Sequence, residues 1–208
     1  MMKKGIVIAL FLISNMVFAQ DQYTKGMQKA FQLWGDGKSA EASNMFERIA
    51  NAEMDNWLPY YYVAQINTIV SFGEKDKEKL TQQLEKAQAY LDLAKNIAPD
   101  NPEITVQQAM TYTAWIAFDG ATYGMTLSGK VAALYSKALA MAPDNPRVVF
   151  SKAEWDMGSA AYFGQDTTPY CKDVERALEL FDTFKAASDF HPNWGKDRAE
   201  MTLKNCNK

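Results

Sequence analysis

Histidine is nearly missing from this chain: His191 is the only one in 208 residues, and cysteine occurs twice, at Cys171 and Cys206. Two thiols and one imidazole cannot complete the four-ligand shell of a structural zinc, so no metal site is expected. No nucleophile stands in a recognisable pattern with a base and an orienting carboxylate. GxSxG, HExxH and a glycine-rich phosphate loop set on a strand do not occur. Glu154 and Asp156 are close in sequence but about 200° apart on a helix, a poor acid/base pair. His191, directly before Pro192, reads as a turn residue. The expectation is a non-catalytic protein with no cofactor.

Positive charge is also scarce. Lys and Arg total 22 against 25 Asp and Glu, a net −3. Nucleic acid, which requires a basic footprint, is therefore not an expected partner. Past residue 20 no apolar run reaches the ~20 residues of a membrane span. The N-terminus differs. Lys3 and Lys4 precede an apolar stretch from Ile6 to Phe18, interrupted only by Ser14 and Asn15, and Val17 and Ala19 stand at signal-peptidase spacing. This reads as a secretory leader over 1–19, cut between Ala19 and Gln20. Gln20 in place of Cys argues against a lipid anchor. One domain over 20–208 is expected, periplasmic or secreted, and losing the two lysines takes its charge from −3 to −5.

What the chain has in plenty is repetition. IAPDNPEI begins at Ile97 and MAPDNPRV at Met141, placing Pro99 and Pro143 at the same phase. Upstream of each lies a small–large–small stripe: Ala87, Leu91, Ala94, then Val131, Tyr135, Ala138. Ala42, Phe46, Ile49 precede Met54, and Leu180, Phe184, Ala187 precede Pro192. Steps of four and three place each set on one face of an amphipathic helix. The pentapeptide is the joint: Asn101 and Asn145 suit an N-cap, and Pro102 and Pro146 the first helical turn. Asp76 or Ser71, and Thr168-Pro169, are starts for later helices. Phe72-Gly73, Phe118-Asp119-Gly120 and Tyr162-Phe163-Gly164 read as helix ends closed by a left-handed residue with an aromatic contact.

AEASNMFERIA (Ala40–Ala50), the Gly35-Asp36-Gly37 turn before it, and Ala30, Ala64, Ala109 and Ala153 resemble the tetratricopeptide repeat family. The resemblance implies an all-α superhelical array of antiparallel helix pairs, about four units, with a C-terminal capping helix from Asn193 to about Asn205. Inward candidates on that cap are Ala199, Met201 or Leu203. The units are longer than the family's from the second onward. The cap would run back toward the start of the preceding helix, bringing Cys206 to Cys171 as a disulfide suited to an oxidising compartment.

The family's groove-facing positions, carried across, are Thr24, Met27, Phe31 and Trp34; Leu58, Tyr61, Gln65 and Thr68; Glu103, Val106, Met110 and Thr113; Arg147, Phe150, Glu154 and Met157. With Arg147 the only base among them, a carboxylate clamp is not expected. Met and aromatics suit an apolar, extended ligand. The same side chains read as core if the C-terminal cap folds over them. Of Tyr60-Tyr61-Tyr62, pointing about 100° apart, Tyr61 is expected in the open groove. A second surface is the edge of the Phe-Gly turns, with Tyr123, Tyr162 and Tyr170. The functional expectation is an exported adaptor or scaffold binding an envelope protein or an extended peptide. The alternative is a small-molecule or glycan binder using Trp34, Trp115 and Trp155 as platforms.

Overall fold

The computed structural model describes residues 21–206; the leader expected over 1–19 lies outside the described residues. The chain is an all-α helical repeat array. Residues 21–35 form α1, followed by α2 (Ser39–Ala52), α3 (Trp57–Ser71), α4 (Lys77–Ile97), α5 (Pro102–Phe118), α6 (Gly120–Met141) and α7 (Pro146–Tyr162). A 3-10 turn, Thr168–Tyr170, leads into α8 (Cys171–Thr183), and α9 (Lys196–Cys206) closes the described chain. Odd and even helices pair as hairpins, and α3, α5 and α7 also pack side by side.

The joints form as their chemistry requires. Asn56 accepts from the Leu58 N–H at 3.0 Å, Asn101 from Glu103 at 2.9 Å and Asn145 from Arg147 at 3.0 Å, while Asp76 caps α4. Each cap satisfies an orphan donor of the first turn. The first three stripes are buried throughout, from Ala42, Phe46 and Ile49 to Val131, Tyr135 and Ala138. Ala30, Ala64, Ala109 and Ala153 are fully enclosed, so neighbouring helices approach closely there. Thr68 and Thr111, 43 residues apart, touch through their hydroxyls at 3.0 Å. Glu103 and Arg147, 44 apart, pair at the other end. α3, α5 and α7 are therefore parallel, each shifted by one repeat from the last.

The extra length of the second and third units goes into their second helices: α4 has 21 residues and α6 has 22, against 14 in α2. The left-handed closure expected at three Phe-Gly turns occurs at one. Gly164 has φ +66°, but Gly73 and Gly120 have no positive φ. Gly120 instead opens α6, where Asp119 takes over as N-cap by accepting from the Thr122 N–H at 3.0 Å. Phe72 and Phe163 are exposed, not tucked beneath a turn.

The fourth stripe also departs from expectation. α8 stops at Thr183, and Phe184 adopts an extended backbone (φ −66°, ψ 132°). The chain then runs without regular helix as a strap over residues 184–195 until α9 begins. α9 buries Ala199 fully and Leu203 in part, while Met201 faces out. Cys171 and Cys206, 35 positions apart in sequence, are bonded, with Cα atoms 6.0 Å apart. The bridge fastens α9 to the start of α8. Its loss, in a Cys171→Ser/Cys206→Ser variant, is expected to lower stability by about 3–4 kcal/mol in the chain-entropy account, measured by urea unfolding beside the native chain.

Candidate functional site

The strap crosses the side of the array where the open groove was expected and covers part of it. Tyr62 Oη donates to the Phe190 carbonyl at 2.7 Å, and Trp194 Nε1 donates to Tyr61 Oη at 2.9 Å. The Phe190 ring meets Tyr23 edge-on at 5.6 Å and stacks on Phe31 at 6.2 Å. Phe184 lies over the Arg147 guanidinium at 4.5 Å, and Pro192 is buried. Tyr61, expected at the surface, is fully enclosed, and Tyr60 and Tyr62 are buried beside it. Directions 100° apart all find cover because α3 is wrapped on every side: α2, α4 and α5 pack against it, and the strap takes the rest. Tyr60 reaches back to the Ala50 carbonyl at 2.9 Å. Burial, above all, raises the pKa of Tyr61 and Tyr62, so both hydroxyls remain neutral.

The groove set is thus distributed through the interior. Met27, Leu58, Tyr61, Gln65, Thr68, Glu103, Val106, Arg147 and Phe150 are buried. Thr24, Phe31, Trp34, Met110, Thr113, Glu154 and Met157 are half-buried. Phe31 packs on Phe46 and Tyr62, Glu154 accepts from Arg198 of α9 at 2.5 Å, and Met157 joins the α7–α8–α9 core. The three tryptophans named as platforms are half-buried, each beside a tyrosine: Trp34 by Tyr62, Trp115 by Tyr123, Trp155 by Tyr135.

Where the N-terminal ends of α5 and α7 meet the strap, the repeat places two opposite charges together. Glu103 and Arg147 are each the second residue of a helix. They are 6% and 1% exposed, so this is a desolvated pair. Arg147 Nε donates to Glu103 Oε2 at 2.9 Å, Nη2 donates to Oε1, and Asn145 Nδ2 adds a third donor at 2.6 Å. Arg147 Nη1 is buried, with no hydrogen-bond partner among the described residues. Above the pair opens a cleft of about 580 Å³, walled by Trp57, Asn101, Phe184 and His191. His191 Nδ1 lies 2.7 Å from Ser188 Oγ, and its ring meets Trp57 edge-on at 5.6 Å. Burial pushes the imidazole pKa down, against the opposing pull of Glu103.

The opposite edge, where the parallel first helices end, carries exposed apolar side chains. Tyr162 is 77% exposed and Phe163 72%, their rings 5.2 Å apart; Phe72 is 47% exposed and Met125 97%. Trp115 and Tyr123 pack together at the junction of α5 and α6 on this edge, with centroids 5.0 Å apart. The recurrent Phe-Gly turns mark this edge in the sequence as a second surface, through Tyr123, Tyr162 and Tyr170; Phe72 and Phe163, assigned there to turn closure, are exposed.

No family model matches the chain, and no curated protein matches it. Among solved structures, the HusA haemophore from Porphyromonas gingivalis is similar at 23% identity and a TM-score of 0.78, over 88% of this chain and 92% of that one. A thermophilic TPR protein from Thermus thermophilus aligns at 15% identity over 89% and 98%, with a TM-score of 0.41. The first likeness establishes a shared helical fold.

Two outcomes follow from the strap. Gly195 has φ +109°, and a Cβ there would stand 3.0 Å from Phe181 Cζ. Gly195→Ala is expected to lower stability by about 1–3 kcal/mol, read from the denaturation midpoint. His191 has a folded pKa below its ordinary 6.5. As pH falls, the unfolded chain therefore binds the proton first, and stability present above that value is lost below it. Between about pH 7.5 and about pH 5.5 the native chain should lose more stability than His191→Asn, compared by thermal unfolding in matched buffers.

Proposed function

We propose that this chain is a non-catalytic, exported binding protein that holds a flat, apolar small molecule of porphyrin type on its aromatic edge. The observation that carries this reading is the exposure of Tyr162 and Phe163 beside each other, with Phe72 and Met125 on the same edge. Rings left open to water at the ends of parallel helices offer stacking surface at little conformational cost. Each aromatic contact is worth about 0.5–1.5 kcal/mol beyond burial. The Tyr162 hydroxyl and the Met125 thioether would be the polarisable donors there; the single histidine lies at the opposite ends of the same helices.

Three further points support it. The strap covers Tyr61 and Tyr62, so an extended peptide would not reach those groove positions while the strap is seated. The similar fold of a protein named a haemophore supports haem as the first ligand to try. The leader-like N-terminus and the disulfide fit an oxidising compartment outside the cytoplasm. An adaptor role for an envelope protein is the remaining reading, and it would use the same edge.

Haemin titration followed by absorbance is the test. Saturable binding is expected, weakened at least about tenfold in Tyr162→Ala/Phe163→Ala, a loss of about 1.4 kcal/mol or more. These exposed side chains contribute little to folding, so circular dichroism should be unchanged. No saturable change on haemin addition, or equal affinity in the variant, would remove the porphyrin reading.

A further inference from the structure

The cleft over the Glu103–Arg147 pair has the features of a second, separate ligand site. A buried guanidinium with a free edge is costly, since an unsatisfied polar group loses water and gains nothing in return. Arg147 is 1% exposed, forms part of the cleft lining, and has Nη1 without a hydrogen-bond partner. Its other edge is fully engaged, with Nε and Nη2 on the Glu103 carboxylate. The N-terminal ends of α5 and α7 meet at the same place; each begins with proline and its second N–H is held by Asn101 or Asn145, so the donor offered to a ligand there is Arg147 Nη1. Trp57 and Phe184 supply aromatic side chains to the walls, and Phe184 is carried by the strap, which has no regular helix to hold it.

Charge balance decides the ligand class. Glu103 already neutralises Arg147, and the two other charged side chains of the lining, Asp100 and Lys185, are of opposite sign, so the cleft offers a hydrogen-bond donor without net charge. A carboxylate brought here would stand as an extra buried negative charge beside Glu103 and would be penalised by desolvation. A neutral acceptor meets no such penalty. We propose that this cleft binds a flat, uncharged molecule bearing an amide- or lactam-type carbonyl, its oxygen on Arg147 Nη1 and its ring between Trp57 and Phe184. Access to Nη1 requires the Phe184 ring, now 4.5 Å from the guanidinium carbon, to swing aside. The site is independent of the porphyrin reading, because it lies at the other ends of the helices and involves none of the edge residues.

The test uses the chain with its disulfide intact and benzamide as probe, followed by proton–nitrogen NMR. Benzamide is expected to move the Trp57 indole and Arg147 Nε–H signals saturably. Benzoate, the same ring with a charged acceptor, should bind at least tenfold more weakly. Arg147→Lys keeps a cation for Glu103 but deletes Nη1, and should weaken benzamide at least tenfold. Should that variant fail to fold, Trp57→Ala serves instead, with an expected loss of at least fivefold. Unmoved Trp57 and Arg147 signals, benzoate binding as tightly as benzamide, or full affinity in the folded variant would each overturn the proposal. Haemin binding by the edge is read separately and does not enter the outcome.

Discussion

Glu103 and Arg147 form the contact on which the arrangement of the other parts depends. Two charges withdrawn from water are tolerable only when they are closely paired, and here three donors converge on one carboxylate. Such a pair adds little net stability over an apolar substitute, yet leaving either partner alone costs about 3–5 kcal/mol. Its structural value is therefore directional. It fixes α5 against α7 in one register and presents a cationic face on which Phe184 rests. The chain leaves α8 at that residue and turns across the concave side, so the path of the strap begins at this pair.

The strap changes what the array's inner side can offer. In an open array, side chains such as Tyr61, Gln65 and Arg147 would wait for a partner. Here the chain supplies its own occupant, anchored by Phe184, Phe190 and Trp194. Open surface is left at the two ends of the parallel helices: exposed rings at one, a polar cleft at the other. Their chemistries differ enough that one ligand would not suit both. No helix among the described residues is long and apolar enough to cross a membrane.

Much of the architecture was legible because it is written locally. Ala87, Leu91 and Ala94 declare a helix face through spacing alone, and Asn101-Pro102 declares a helix start through capping chemistry. The Cys171–Cys206 bond followed once the cap was seen to run backward. The strap was not legible for the same reason. Leu180, Phe184 and Ala187 continue the helical spacing, and local pattern favours a helix through Phe184. What wins is non-local: Phe184 on Arg147, Phe190 among Tyr23 and Phe31, Trp194 on Tyr61. Tyr61 was misplaced because the covering segment lies 133 residues away. The edge was legible through Tyr162 and the recurrent Phe-Gly turns, but the exposure of Phe72 and Phe163 was not, because the rule that an aromatic before glycine closes a helix holds in backbone geometry at Gly164 and not at Gly73 or Gly120.

Repeat arrays ordinarily behave as one-dimensional stacks, each unit feeling only its neighbours, so that an end can fray while the middle stands. The strap breaks that rule. By joining Tyr62 to Phe190, 128 positions on, it ties the second unit to the segment beyond the fourth. The stack becomes a closed loop, mechanically a clasped bracelet in place of a spring. Neither terminal unit can loosen without unseating the clasp, so the units share one melting event, and the curvature of the array is held instead of breathing with thermal motion.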